Sequence, residues 1–341
     1  MTHKAPSLAL FAAVLASACG GSQSAPEPPP APPPAQAAAA PGPQPPAGQN
    51  LASSTTPDKT AKTEATPPAG STPAVRFTGA FAAPESALYD EEADRYLVSN
   101  INGKPTDKDG NGYISVLSPD GQVTTPKWIA GGANKVKLDA PKGLAISQGI
   151  LYAADLTVVR KFDVKTGAPK GDIAVPGATF LNDVAAGPDG TIYVSDSGLK
   201  QGKSDSEPSG SDAVYAIEKG KLRPLAKSKE LGQPNGVLPT DKGLLVATMG
   251  TNEIYRLEKD GKRKDVTTVP EGGLDGLVAV GDTIFVSSWK ASGIYRGQIG
   301  GKFEIAIPNV KGAADIGYDK KRSRLIVPRL TEDVVEAYEI K

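Results

Sequence analysis

Past residue 74 the chain reads as short apolar runs separated by turns rich in Gly, Asp and Asn. Tyr96 to Val98, Gly149 to Ala153, Thr191 to Val194, Leu244 to Ala247, Thr283 to Val286 and Arg324 to Val327 are such runs. They are rich in β-branched and aromatic residues and too short for helices. No apolar stripe of helical period lasts beyond a turn or two. Many brief strands with glycine-rich turns between them predict an all-β protein.

The runs recur in register. Units open at Pro84-Glu85, Pro141-Lys142-Gly143, Leu181-Asn182-Asp183, Pro234-Asn235-Gly236, Leu274-Asp275-Gly276 and Ala314-Asp315-Ile316. Most steps are close to about forty residues, the length of one four-stranded propeller blade. The longer steps carry insertions after Glu85 and after Asn182. A weaker echo closes the next strand of each unit: Ser99-Asn100, Ala154-Asp155, Ser195-Asp196, Thr248-Met249, Ser287-Ser288 and Pro328-Arg329. The pattern predicts a six-bladed β-propeller over residues 75–341. Val75 to Gly79 should close the ring beside Val334 to Ile340, leaving no open edge. The first strand of every blade lines the axis, so the residue entering it should sit on a common ring. That ring is expected to hold Glu85, Lys142, Asn182, Asn235, Asp275 and Asp315. The competing reading is a set of independent Asx turns before glycine.

Ahead of the repeats the texture differs. Residues 1–18 read as an export signal: Lys4, then the apolar stretch Leu8 to Leu15, too short to span a bilayer. Ala16-Ser17-Ala18-Cys19-Gly20 resembles a bacterial lipobox, which makes Cys19 the expected lipidation site and the mature N-terminus. Gly20, rather than Asp, after the cysteine points to the outer membrane of a Gram-negative cell, on a side the sequence does not specify. The alternative is an ordinary cleaved signal. Residues 19–74 are rich in Pro, Ala, Ser and Thr, with almost no large apolar side chain. Such a stretch cannot offset its ordering entropy and is expected to be a disordered, semi-stiff tether.

Charge and composition narrow the chemistry. The chain has 38 basic and 38 acidic residues, one cysteine and one histidine. Zero net charge argues against nucleic acid as a partner. The single histidine, His3, lies inside the signal. A Ser-His-Asp triad and a His-ligated zinc are thereby excluded. The ring offers oxygen alone: carboxylates from Glu85 and Asp275, amide oxygens from Asn182 and Asn235. An oxygen-only donor set suits Ca²⁺. A second candidate lies in the blade 1 insertion. There Asp107, Asp109 and Asn111, followed by Gly112-Tyr113-Ile114, resemble the start of an EF-hand loop, although Ser118 stands where its closing Glu belongs. Otherwise this is a polar, Gly-rich hairpin. The blade 3 insertion, Lys200 to Ser211, is expected to be mobile.

These motifs together resemble the regucalcin (senescence marker protein)/gluconolactonase group of calcium-dependent six-bladed propellers. Glu85, Leu181-Asn182-Asp183, Pro234-Asn235-Gly236 and Asp275-Gly276 match its metal-site motifs in order and at blade spacing. The resemblance implies a Ca²⁺-dependent hydrolase of lactones or related esters, with Asp275 as ligand and base. Asp183 is the second candidate base. Lys142 stands where related paraoxonases have histidine, so a histidine dyad is unavailable. Beside a cation, Lys142 would lose proton affinity and serve as a base; otherwise it pairs with Asp155 or Asp315. Ser86-Ala87-Leu88 replaces the tryptophan common in gluconolactonases. Trp289, Tyr89 and Met249 are candidate pocket walls. The second functional reading is a non-catalytic ligand-binding or scaffold propeller. A monomer with a small-molecule ligand is expected.

Overall fold

The structure is a computed structural model that describes residues 72–203 and 206–340. The expected signal, Cys19 and nearly all of the expected tether lie outside the described residues. Among the described residues there is no α-helix, and no helix long and apolar enough to cross a membrane.

Six four-stranded antiparallel sheets form the body. Their innermost strands are Pro84–Asp90, Pro141–Ser147, Leu181–Ala186, Pro234–Thr240, Leu274–Val280 and Gly317–Asp319, in blades 1 to 6 respectively. Each innermost strand packs against that of the next blade, and blade 6 packs against blade 1. The propeller is therefore closed. Closure uses the expected segments: Val75–Phe77 forms the outermost strand of blade 6, with Val75 opposite Ala337 and Phe77 opposite Val335. Phe77 is 1% exposed and meets the Tyr96 ring edge-on at 6.2 Å. Beside it, the buried Glu336 carboxylate accepts from Tyr338 Oη at 2.6 Å and pairs with Arg76 and Arg329.

Burial follows position within the blade. The strand Gly243–Thr248 is buried from Leu244 onward, whereas the outer strand Pro169–Ala174 is almost wholly exposed. Cores form between blades. Leu97, Ile114 and Ile129 of blade 1 pack with Leu144, Leu151 and Phe162 of blade 2. Sheets buried on both faces need continuous rather than alternating apolar runs, which is why the strands read as they do.

Each anchor sits on a β-bulge at the same place. Pro84 pairs with Asn100 and Ala87 with Val98, so Glu85 and Ser86 together face only Ser99. The same shift occurs at Pro141/Leu144, Leu181/Val184, Pro234/Val237 and Leu274/Leu277. A bulge re-aims the side chains it carries, here two residues of each inner strand.

The echo motif is structural. Asp155 accepts from the backbone N–H of Asp139 and Ala140 at 3.1 and 2.9 Å, and Asp196 from that of Phe180 at 2.9 Å. Asn100 Oδ1 likewise accepts from Ala82 N at 3.2 Å. Each clamps the loop that enters its own blade. The blade 3 insertion, expected to be mobile, contains a hairpin of Leu199–Gln201 with Ser206–Pro208. Thr106 of the blade 1 insertion hydrogen-bonds Gln201 of that hairpin. Both insertions leave the second strand, on the anchor side of the propeller.

Candidate functional site

The bulges stack the axial side chains in two layers. The register corrects one assignment. In blade 6, Ala313 bridges Arg329 and Gly317 pairs with Ile326, matching Leu274 opposite Ser288 in blade 5. Ala314 therefore occupies the anchor position, and Asp315 lies one residue deeper. The upper layer is Glu85, Lys142, Asn182, Asn235, Asp275 and Ala314. The deeper layer is Ser86, Gly143, Asp183, Gly236, Gly276 and Asp315. The expectation that Asp315 belongs to the anchor ring fails, because that unit runs one residue out of step with its motif and puts Ala314 there.

The glycines of the deeper layer are not turn formers. None of Gly143, Gly236 and Gly276 has positive φ. A Cβ on Gly143 would lie 2.2 Å from Asp183 Oδ1, and one on Gly276 2.0 Å from Asp315 Oδ1. The two acids fill the space the glycines vacate. Blades 3 and 6 are opposite one another in a ring of six, so Asp183 and Asp315 face each other across the axis. Asp183 Oδ2 accepts from Val237 N at 2.7 Å, and Ser86 Oγ donates to Asp315 Oδ2 at 2.5 Å.

The upper layer is held from outside. Asn182 Nδ2 donates to Ser197 Oγ at 2.9 Å, and Ser197 Oγ to Pro234 O at 2.8 Å. Asn235 Nδ2 reaches Leu274 O at 3.4 Å. Trp289 Nε1 donates to Asp275 Oδ2 at 2.8 Å. Two carboxylate oxygens, Glu85 Oε2 and Asp275 Oδ1, are buried without a hydrogen-bond partner. Buried polar atoms are nearly always satisfied, so two unsatisfied carboxylate oxygens in one layer call for an explanation. A cation supplies one, and the donors fit it: all are oxygens, with two negative charges among them. Glu85, Asn182, Asn235 and Asp275 would hold it. Among the described residues no three Asp, Glu, His or Cys side chains are grouped to hold a metal, so the amides are needed to complete the set.

Electrostatics agree with crowded acids. Burial pushes Glu85 well above the usual carboxylate range; Asp275 and Asp315 add to this and Lys142 opposes it. Burial and then Asp315 raise Asp183, against the N–H groups of Val237 and Val184. Burial lifts Asp275 to about 6, eased by Trp289 and Asn235. Burial takes Asp315 to about 7, with Ser86 opposing and Asp275 adding. Lys142 is pulled down to about 8 by burial, against Glu85 and Asp155.

Lys142 pairs with neither proposed acid. Asp155 is bound by Arg160 at 2.7 Å. Lys142 Nζ donates to Ala140 O at 3.0 Å and Pro105 O at 3.1 Å, and lies 4.3 Å from the Phe180 ring centre. It thus ties the blade 1 insertion down. The anchors are almost covered: Glu85 is 5% exposed and Asn235 2%. At the rim Trp289 is 36% exposed. A cavity of about 920 Å³ opens on the opposite face. Of the candidates only Asp183 and Tyr89 line it, with Asp315 also at its wall. Met249 is half-buried, its N–H on Gln233 O.

In the blade 1 insertion, Asp109 accepts from the Asn111 backbone N–H at 3.3 Å and from its Nδ2 at 2.6 Å. Asp107 Oδ2 accepts from Lys104 N at 3.3 Å, and Asn111 Oδ1 is buried without a partner. The loop is tied from outside as well, Gly110 N donating to Asp139 Oδ1 at 3.0 Å.

Sequence reasoning missed the Trp289 donor, the deeper layer and the bridged insertions. Only the first left a signal, a lone Trp just after the blade 5 echo.

No family model and no curated protein matches the chain. Solved structures do match in fold. A gluconolactonase from Xanthomonas campestris is 18% identical over 77% of this chain and 88% of its own, with a TM-score of 0.58. A putative gluconolactonase is 19% identical over 77% and 89%, with a TM-score of 0.56. A streptogramin B lyase is 15% identical over 78% and 97%, with a TM-score of 0.54. At these identities the likeness concerns the fold.

Proposed function

We propose that this propeller is a Ca²⁺-dependent hydrolase of lactones or related esters. The observation that carries the reading is the pair of buried, unpartnered oxygens, Glu85 Oε2 and Asp275 Oδ1, in one layer with Asn182 and Asn235. The gluconolactonase names among its structural neighbours agree with the substrate class. Bound there, Ca²⁺ would polarise an ester carbonyl and stabilise the charge that develops on it.

The protein's own groups divide the remaining work. Asp275 is lifted to about 6 by burial in the metal-free protein and would lose proton affinity on binding Ca²⁺; it is the first candidate to orient and deprotonate the attacking water. Asp183 is the second candidate, one layer deeper. Lys142 acts through charge: its ammonium lowers the proton affinity of Glu85, while its own protons are held by two carbonyls. The Thr106–Gln201 contact must part to admit substrate. The rim of Trp289 offers the entering molecule an apolar wall.

A non-catalytic binding propeller is the second reading. Two observations favour it: the near-complete cover over the anchors, and the absence of a free nitrogen base at the ring. Hydrolysis of a panel of lactones and aryl esters, with and without chelator, separates the two. We expect turnover that chelator abolishes, and a loss of at least about 10²-fold in D275N. Ca²⁺ binding without turnover on the whole panel would give the second reading the stronger case.

We further propose that Cys19 is lipidated and anchors the chain to the outer membrane. Labelled palmitate should enter the wild type and not C19A. Labelling of neither would leave an ordinary exported protein.

A further inference from the structure

We infer that Trp289 is the positioning residue of the axial site: its indole N–H holds one oxygen of Asp275 and thereby aims the other at the axis. This rests on the reading of Asp275 as the central carboxylate of that site. Trp289 follows the last residue of the strand Thr283–Ser288, and its backbone N–H donates to Gly273 O at 3.0 Å. Gly273 takes φ +64 there, and a Cβ on it would lie 3.3 Å from Trp289 Cβ. The backbone around the indole is therefore fixed on the loop that leads into Asp275.

The two oxygens of Asp275 differ in surroundings. Oδ2 accepts the indole N–H at 2.8 Å, and Oδ1 is buried and unpartnered. The two oxygens of an ionised carboxylate are chemically alike, so the donor sets the plane of the group. The indole N–H holds that plane and leaves one oxygen directed inward, and indole can donate but not accept. No other blade has a tryptophan at this position: the residues after the echo include Leu156, Ser197 and Leu330. The device belongs to blade 5, which supplies Asp275. The indole is also unusual in being 36% exposed while its N–H reaches a residue 4% exposed. An exposed aromatic at that rim would otherwise be replaceable by any apolar side chain.

The chain has two tryptophans, so its indole N–H region in an NMR spectrum holds two signals. Trp128 stacks under Arg95 at 4.6 Å and serves as the internal control. W289F identifies the Trp289 signal. We expect that signal to exchange slowly with water despite the exposed ring, and to shift in D275N while the Trp128 signal stays. Ca²⁺ affinity should fall about tenfold in W289F, the loss expected for one hydrogen bond to a charged group. A Trp289 signal that exchanges like free indole and ignores D275N overturns the inference, whatever the metal does. Equal Ca²⁺ affinity in W289F and wild type overturns it as well. If wild type binds no Ca²⁺ while the NMR signature holds, the metal reading fails and the Trp289–Asp275 arrangement stands.

Discussion

Gly276 shows how the axis is packed residue by residue. Its φ suits any L-residue, yet a methyl group there would sit 2.0 Å from Asp315 Oδ1. The obstacle is the neighbouring blade, whose Ile316 N and Asp315 Cα would also lie 2.4 and 2.6 Å away. G276A should therefore destabilise the protein by about 1–3 kcal/mol, as overpacking does. G276A/D315S removes only the carboxylate and should leave most of the loss in a thermal melt. Full recovery would show that the Asp315 oxygen alone is the obstacle. Glu85, Asn182, Asn235 and Asp275 were legible in the sequence because the bulge repeats and its occupant is polar. Asp315 was misplaced by one position because an Asx residue in the right neighbourhood outweighed a register that only strand pairing reveals. The Trp289 donor left only a lone tryptophan after the blade 5 echo, and a single aromatic after a strand has no periodic partner to reveal its role.

Among the elements, the inner strand and its clamp form the repeating unit. The polar residue of the echo holds the incoming loop by its N–H groups, and in blade 2 Asp155 also engages Arg160. Removing one partner of a buried, hydrogen-bonded ion pair leaves the other uncompensated. D155A should cost about 3–5 kcal/mol. The exposed pair Lys262–Asp260 should contribute little. Urea titrations of D155A and D260A compare the two. Similar losses would mean that Asp155 is not the clamp described. The strands themselves were legible from apolar runs and glycine turns. The hairpin in the blade 3 insertion was not: its residues are polar, and its pairing follows from placement beside the blade 1 insertion.

For the molecule as a whole, the axis concentrates unpaired negative charge. Asp275 and Asp315 have folded-state pKa values of about 6 and about 7, above the ordinary 3.8. Between pH ~4 and ~7 the folded protein thus binds more protons than the unfolded one, and stability falls as pH rises. Without metal, the Tm should drop across that window. With Ca²⁺ at neutral pH it should rise, by mass action on the folded state. A flat metal-free profile would show that these acids do not carry the burial described for them. The six-fold repeat and its closure were legible because blade length is nearly constant. The cover over the anchors was not, since it depends on two insertions from different blades meeting.

The facing acids Asp183 and Asp315, with Gly143 and Gly276 packed against them, narrow the middle of the propeller between the anchors and the far cavity. On the proposed reading, a ligand of the anchors would enter and leave past Trp289, so that a departing product and an arriving substrate would contend for the same passage.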